Sequence, residues 1–395
     1  PGPGTAATNL RGSWPQFRGP GRDGLVREPG ELLRSWPDGG PEVLWDVALG
    51  EGHAGPAVRN GRVYLIDYDR QRQRDALRCL SLADGEEIWR LSYPVDIKRN
   101  HGMRRTVPAV TDRVVCADAN TGRFRWALDL PRQFGTTVPA WYAGQCPLIV
   151  DGSAILAPAG PKALMVAVDC ETGRVQWAAP NPMRWDMTHS SIMPARYAGR
   201  QMYVVCGSGG AAGVAADTGR LLWTTADWTV RIATVASPVP LDQGELLLTG
   251  GYNAGSALLR LREVDGNLAA SLAWRLPARA FGAEQHTPVF RDGLIYGVRP
   301  NGEFACLRPD GELLWTSGKA HRFGLGPFLL AGEMALVMND HGRLSLAEAS
   351  PAGFDLLARA DVLPGPDSWA PMALVAGRLL ARDLTLLRCF RVSPP

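Results

Sequence analysis

One two-part pattern recurs along this chain of 395 residues and restricts its fold more than any other feature of the sequence. The first part is a proline, a short apolar run and a tight turn. The second is a turn with Asp-Gly or Thr-Gly, followed by a run that ends in tryptophan. A repeat of this kind predicts one supersecondary unit per copy. The prolines of the eight copies are Pro56, Pro108, Pro147, Pro194, Pro238, Pro288, Pro327 and Pro371.

The second parts end in tryptophan in six copies. The seventh copy has Leu357 near the expected place, and the eighth ends without a tryptophan. Trp45 lies upstream of the first proline, so its segment can supply the missing outer strand. We expect this strand to pair with the strand around Leu387 and so leave no open sheet edge. The six tryptophans are Trp89, Trp126, Trp177, Trp223, Trp274 and Trp315.

The apolar runs are short, and glycine turns such as Asn60-Gly61 and Asp84-Gly85 separate them, which is typical of β-hairpins. The sequence therefore predicts an all-β fold: an eight-bladed β-propeller of four-stranded antiparallel blades, closed by the N-terminal strand. Residues 1–40 are predicted to form an N-terminal extension, and residues 41–393 a single eight-bladed propeller.

The second copy is too short for a complete blade. Pro108 and Trp126 are 18 residues apart, whereas Pro56 and Trp89 are 33 residues apart. Four strands of about five residues with their turns do not fit into the shorter interval. We predict that blade two is truncated and lacks a strand or a hairpin.

Composition excludes several classes of function. The chain has 42 basic and 39 acidic residues, a net charge of +3, which does not suit nucleic-acid binding. No apolar run reaches the ~18 residues of a membrane span. Seven cysteines, an odd number, do not indicate a disulfide framework. Arginine far outnumbers lysine, as in GC-rich bacterial genomes, and the polar lead Pro1–Asn9 without methionine is consistent with a removed signal peptide. We expect a monomer in the periplasm or elsewhere outside the cytoplasm.

Two segments resemble a known family. The run Ala167–Trp177, which contains Thr172-Gly173, looks like the tryptophan-docking motif of pyrroloquinoline-quinone (PQQ) type propellers. The run Trp14–Gly24 is similar to the start of PQQ-like repeat proteins of the bacterial outer-membrane-assembly-factor type. The resemblance implies that each tryptophan packs against the next blade and that Thr-Gly forms the turn.

The PQQ-type propellers that this sequence resembles include both scaffolds and quinoprotein alcohol dehydrogenases. Those enzymes are similar to one another in a vicinal Cys-Cys pair above the quinone and a calcium ion held by Glu and Asn beside a catalytic Asp. This sequence has no Cys-Cys dipeptide. We therefore predict a non-catalytic propeller that binds a protein partner or a small polar ligand. The alternatives are a PQQ- or metal-dependent oxidoreductase and a polysaccharide- or cell-envelope-binding module.

A binding site is predicted where the loops before the repeat prolines meet, on the face around the propeller's central funnel. All six histidines map to this face, with His341 in a turn between middle strands. Arg104-Arg105 could hold a carboxylate or phosphate by bidentate contacts. No His-Glu-x-x-His or paired Cys-x-x-Cys motif occurs, so no metal site is assigned. The candidate ligand-binding residues are His53, Arg104, Arg105, Tyr142, Gln145, His189, Arg231, Gln285, His286, His321 and Trp369.

Overall fold

The computed structural model describes Leu10 and residues 12–95, 113–141 and 143–394, and all structural statements below refer to these residues. The chain divides into two compact units. Unit 1 comprises Pro1–Ala109, Ala117–Phe124 and Ala320–Pro395. Unit 2 comprises Val110–Cys116 and Arg125–Lys319.

Unit 1 contains three blades, which we call A, F and G. Blade A consists of Ala57–Arg59, Arg62–Asp69, Arg74–Ser81 and Glu87–Pro94. Blade F consists of Phe328–Ala331, Met334–Met338, Arg343–Ser350 and Gly353–Asp361, with Leu25–Val26 as a fifth, parallel strand. Blade G consists of Ala373–Val375, Arg378–Arg382, Leu386–Arg391 and Glu42–Ala48.

Unit 2 contains four further blades, B to E, in chain order. Blade B consists of Leu148–Val150, Ser153–Leu156, Met165–Asp169 and Val175–Ala179. Blade C consists of Met193–Tyr197, Arg200–Gly207, Gly210–Ala215 and Leu221–Thr225. Blade D consists of Val239–Pro240, Glu245–Gly250, Gly255–Val264 and Asn267–Leu276. Blade E consists of Val289–Arg291, Leu294–Val298, Phe304–Leu307 and Leu313–Thr316. The helices are α-helix Leu130–Phe134 and 3-10 helix Asp242–Gly244.

The prediction of eight four-stranded blades is wrong. The described residues form seven such blades, and the segment predicted as blade two contributes a two-stranded sheet, Arg113–Ala117 with Phe124–Asp129. The physical reason is the short interval between Pro108 and Trp126, which has no room for two hairpins. Residues 96–112, which precede this sheet, lie outside the described residues, so the predicted truncation of blade two stays a prediction.

The N-terminal strand completes blade G, as predicted. Glu42–Ala48 runs antiparallel to Leu386–Arg391, with Trp45 opposite Cys389 and Val47 opposite Leu387. The last blade is therefore built from both ends of the chain, and unfolding of either end would remove a strand from it.

A β-bulge precedes the tryptophan position in the outer strand of every four-stranded blade of the described chain. In blade B, for example, Trp177 pairs with Ala167 and Val175 with Val168, so Gln176 is the extra residue. Bulges increase the local twist and redirect the following side chain. In blade F the register places Ala358, not Leu357, at the tryptophan position. The bulges of the other blades lie beside Trp45, Trp89, Trp223, Trp274 and Trp315.

Five tryptophans dock on the turn of the next sheet, as the resemblance implied: Trp45, Trp89, Trp126, Trp177 and Trp274. Trp223 and Trp315 instead pack within their own blades, on Met202 and on Tyr296 with Phe304. In unit 1, the Trp45 indole N–H donates to Leu82 O at 3.1 Å, and a Cβ on Gly85 would lie 2.7 Å from the indole ring. In unit 2, the Trp126 indole donates to Cys170 O at 2.9 Å and covers Gly173 in the same way. Both glycines have positive φ, +77° and +73°, so they supply the turn conformation and the space for the ring.

The N-terminal extension covers strand edges within unit 1. Trp14 exchanges two backbone hydrogen bonds of 2.8 Å with Val58 in the first strand of blade A. Leu25 and Val26 pair in parallel with the first strand of blade F. Unpaired edges are ready to pair with other chains, so this segment protects the blades against edge-to-edge association.

Candidate functional site

A ladder of hydroxyl groups aligns the loops that lead into the blades of unit 2. We call residues 135–147, 180–192, 226–238 and 277–288 the leading loops of unit 2. The backbone N–H of Cys146 donates to Ser191 Oγ at 2.9 Å, and the N–H of Ser191 donates to Ser237 Oγ at 3.1 Å. The N–H of Ser237 then donates to Thr287 Oγ1 at 3.0 Å. Each step joins one leading loop to the next.

Replacing one ladder hydroxyl should cost stability. In Ser237→Ala the buried N–H of Ser191 loses its acceptor, and we expect a loss of about 1–2 kcal/mol in the free energy of unfolding, measured by urea titration. Ser237→Thr keeps a hydroxyl and should lose less. Ser271→Ala removes an exposed hydroxyl and is the matched control. Equal stability of Ser237→Ala and Ser271→Ala would contradict a structural role for the ladder.

The leading loops of unit 2 bring together five of the predicted site residues: Gln145, His189, Arg231, Gln285 and His286. His189 is 6% exposed because its ring stacks on Trp141, with centroids 6.3 Å apart, and lies against Gly144. Its backbone N–H donates to Thr234 O at 3.0 Å, which joins two of the loops. His286 is 8% exposed. Both imidazoles are therefore packed into the loops rather than presented to solvent.

Two exposed apolar side chains on this surface were missed by sequence reasoning. Ile232, beside the exposed Arg231, is 52% exposed, and Tyr252 in the middle turn of blade D is 44% exposed. Tyr252 and Asn253 both have left-handed backbone, with φ of +55° and +64°. The signal in the sequence was an aromatic residue in the glycine-rich run Gly250–Gly255.

Close contacts at two glycines place the exposed residues on adjoining loops. Val230 Cγ2 would lie 2.7 Å from a Cβ on Gly250, and Glu284 Cα would lie 2.9 Å from a Cβ on Gly251. The middle turn of blade D, which carries Tyr252, thus packs against the leading loops that carry Ile232 and Gln285.

A cavity beside Gln145, lined by residues such as Leu130 and Ile155, has a volume of about 20 Å³. This volume has room for one water molecule at most and is too small for an organic ligand.

In unit 1 the predicted site residues His53 and Trp369 are in direct contact. Their rings stack with centroids 5.2 Å apart, and His53 is 5% exposed. The Trp369 indole donates to Asp340 Oδ1 at 2.8 Å, and the same oxygen accepts the N–H of Leu325 at 2.8 Å. This packing explains the burial of His53 and the partial burial of Trp369, and their role in ligand binding stays a prediction.

A buried arginine, Arg382, binds the backbone carbonyl of Ala54, the residue that follows His53. Arg382 is 1% exposed and donates to five backbone carbonyls from blade A, blade G and the loop between them. Burial lowers the pKa of its guanidinium to about 10, so the group stays charged at neutral pH. Next to it, Asp67 Oδ2 accepts from Gly50 N at 2.8 Å and from Arg78 Nη1 at 3.1 Å. The acceptors of Arg382 are the carbonyls of Gly50, Ala54, Ile66, Asp383 and Leu384.

The remaining histidines of unit 1 have other surroundings. The His321 ring lies 5.8 Å from Phe354, at the start of the outer strand of blade F. The backbone N–H of His341 donates to Asn339 Oδ1 at 2.9 Å within its turn. The predicted residues Arg104, Arg105 and Tyr142, and His101, lie outside the described residues.

The described residues offer no cluster of His, Cys, Asp and Glu side chains for a metal ion. Residues 12–95, 113–141 and 143–394 contain no group of three or more His, Cys, Asp or Glu side chains that could hold a metal ion. Together with the lack of a Cys-Cys dipeptide, this does not fit a calcium-bound quinone. Within the same residues, no helix has the length and apolar character needed to span a lipid bilayer.

Bulged outer strands, docked tryptophans and glycine turns define an all-β propeller with four-stranded antiparallel blades. The model of the family described as outer membrane protein assembly factor BamB matches residues 73–317, and the chain belongs to this family. A search of curated proteins gives no match.

Solved structures agree with this fold. BamB from Moraxella catarrhalis is 13% identical, with a TM-score of 0.53 over 89% of this chain and 99% of that chain. The computationally designed Ika8 protein is 10% identical, with a TM-score of 0.56 over 88% and 99%. Quinohemoprotein alcohol dehydrogenase from Comamonas testosteroni is 13% identical over 99% and 82%, but its TM-score of 0.47 is too low to support a conclusion.

Proposed function

We propose that this chain is a non-catalytic scaffold of outer-membrane protein assembly, located outside the cytoplasm, that binds a protein partner through the leading loops of unit 2. The observation that carries the proposal is the exposure of Ile232 and Tyr252 on adjoining loops beside Arg231. Tyrosine and arginine are enriched among the residues that dominate binding energy at protein interfaces. The family description supports the compartment and the kind of process.

The construction of this surface suits a protein partner. The hydroxyl ladder fixes the leading loops relative to one another, so the exposed side chains are presented on a rigid base. Left-handed backbone at Tyr252 costs about 1–3 kcal/mol and is kept where the surrounding structure enforces it. An exposed tyrosine at this position gains apolar contact area when a partner covers its ring.

The scaffold hypothesis is preferred to the oxidoreductase on the same residues. The histidines of the leading loops are buried by Trp141 and by their own loops, and the described residues lack a metal-binding group. The side chains that face solvent are apolar, aromatic and cationic, which suits contact with a protein surface rather than redox chemistry.

Site-specific photocrosslinking tests this function. A benzophenone side chain at Ile232 or Tyr252, irradiated in intact cells of the source organism, should form an adduct with one and the same protein of the outer-membrane assembly machinery. Val175 and Leu313 are 45% and 40% exposed on outer strands of unit 2 and serve as control positions. Adducts of equal yield from the control positions, or none from Ile232 and Tyr252, would contradict the proposal.

Charge introduced at the centre of this surface should weaken binding. With the benzophenone at Tyr252, we expect Ile232→Glu to reduce the adduct at least tenfold, because a buried unpaired charge costs more than the roughly 1.4 kcal/mol of one decade. Val175→Glu should leave the adduct unchanged, and both variants should keep the stability of the wild type because the replaced side chains are exposed.

A further inference from the structure

Two of the seven cysteines differ from the others in exposure. Cys116 and Cys170 are half-buried, whereas the other five are buried. Burial raises the pKa of the Cys79 and Cys306 thiols to about 11 and those of Cys206 and Cys389 to about 12. Burial also raises the pKa of the Cys170 thiol, so the pair is distinguished by its exposure and not by its acidity.

The two half-buried cysteines are neighbours within unit 2. Cys116 lies in the two-stranded sheet, and its thiol donates to the backbone oxygen of Cys170 at 3.5 Å. Cys170 lies in the docking turn of blade B, and the same oxygen accepts the Trp126 indole N–H. The Cys116 sulfur is therefore within about 6 Å of Cys170 Cα, given the length of the bonds between a carbonyl oxygen and its Cα.

The repeat shows where the Cys170 side chain lies. Leu82 is the equivalent residue at blade A, because its oxygen accepts the Trp45 indole and its N–H donates to a glycine of its own blade, Gly61. Cys170 donates to Gly152 in the same way. Leu82 is fully buried in one apolar cluster with Trp45 and Cys389, the residue opposite Trp45.

The equivalent of Cys389 in the two-stranded sheet is Cys116, which precedes Trp126 by ten residues as Cys79 precedes Trp89. Two side chains therefore pack together between neighbouring sheets. One is the cysteine paired with the docking tryptophan, and the other belongs to the turn residue whose backbone oxygen accepts the indole N–H. At Cys116 and Cys170 both positions carry thiols.

We propose that Cys116 and Cys170 are a redox-sensitive pair that forms a disulfide and fastens the two-stranded sheet to blade B. Two thiols lose two protons and two electrons and form one S–S bond. The acceptor is a protein disulfide of a thiol–disulfide exchange partner, which is reduced to two thiols. Among the described residues this sheet has two strands, and such a small sheet gains more from a covalent tie than a four-stranded blade does. This inference is independent of partner binding at the leading loops.

Oxidation of the folded protein tests the pair. Treatment with diamide, an azo compound that is reduced to the hydrazine, should lower the thiols titrated after denaturation from seven to five. Non-reducing peptide mapping should give one linked product of the Cys116 and Cys170 peptides, two hydrogens lighter than their sum. The melting temperature should rise by several degrees, because the bond closes a long loop.

Three single variants complete the test. Cys116→Ser and Cys170→Ser should give no linked product and no rise in melting temperature on oxidation. Cys389→Ser should still give the linked product, with its titrated thiols falling from six to four. Retention of all seven thiols in oxidised wild type, or a linked product that joins another pair of cysteines, would overturn the proposal. The wild-type measurement decides the question even if a variant fails to fold.

Discussion

Replacement of Arg382 by methionine is expected to lower the free energy of unfolding by about 3–5 kcal/mol. The guanidinium donates to five backbone carbonyls at 2.9–3.4 Å, and these belong to blade A, blade G and the loop between them. Methionine fills a similar volume but offers no donors, so these carbonyls would lose charge-assisted bonds in a site that water does not reach.

Two further variants separate the donors from the charge. Arg382→Lys keeps the charge but has fewer donors and no planar fork, so we expect an intermediate loss. Arg72→Met removes an arginine that is 73% exposed and paired with Asp69 in the same unit, and should cost less than 1 kcal/mol. Urea unfolding followed by tryptophan fluorescence measures all three. A loss for Arg382→Met no larger than that for Arg72→Met would show that the five bonds add nothing.

The sequence predicted the blades well because their determinants are local. Proline before a strand, glycine in a turn and tryptophan in an outer strand each restrict a few neighbouring residues. The pairing of Trp45 with the C-terminal strand was also predictable, since the last copy ends without a tryptophan and the segment around Trp45 lies directly upstream of the first copy.

The number of blades was not predictable from the repeat count alone. A copy of the repeat can lose strands and still keep its sequence pattern, provided that it keeps the turn and the tryptophan that contact the neighbouring sheets. The two-stranded sheet and its turn retain Ala119, whose oxygen accepts the Trp89 indole at 3.0 Å, and Trp126, which docks on Cys170. The repeat pattern consists of this turn and this tryptophan, and both are present in a sheet of two strands.

The missing tryptophan of blade F has a cause that only the topology shows. The tryptophans that dock on a neighbour, such as Trp45 and Trp274, lie against the turn between the last two strands of the next sheet. In blade G those two strands come from opposite ends of the chain, so no such turn exists. Ala358 stands at the tryptophan position, and Trp36 of the N-terminal extension packs against the same apolar cluster. The extension replaces a contact that the repeat cannot make there.

The exposure of the residues in the leading loops could not be predicted from the sequence, and their role in binding stays a prediction. The leading loops of unit 2 were identified from the residues before each proline, and the hydroxyl ladder holds them together. Burial depends on which loops pack on which, so the sequence could not show that His189 is covered by Trp141 whereas Ile232 and Tyr252 face solvent.

The second large effect is expected at Trp45, where both ends of the chain meet. Trp45→Ala should lower the free energy of unfolding by about 3–5 kcal/mol, the usual cost of removing a buried tryptophan side chain. The ring is 7% exposed, covers Gly85 and donates its N–H to Leu82 O at 3.1 Å. Its loss leaves a cavity at the joint between blades G and A and frees the terminal strand from its docking turn.

Two further variants separate the packing of the Trp45 ring from the hydrogen bond of its indole N–H. Trp45→Phe keeps an aromatic ring but leaves the Leu82 carbonyl without its donor, so we expect a loss of about 1–2 kcal/mol. Phe124→Ala removes a large side chain that is 58% exposed and should change stability by less than about 0.5 kcal/mol. Because Trp45 holds a terminal strand, amide hydrogen exchange in Leu386–Arg391 should accelerate more in Trp45→Ala than in Phe124→Ala. Unchanged exchange in that strand would mean that the N-terminal strand is held by its backbone pairing alone.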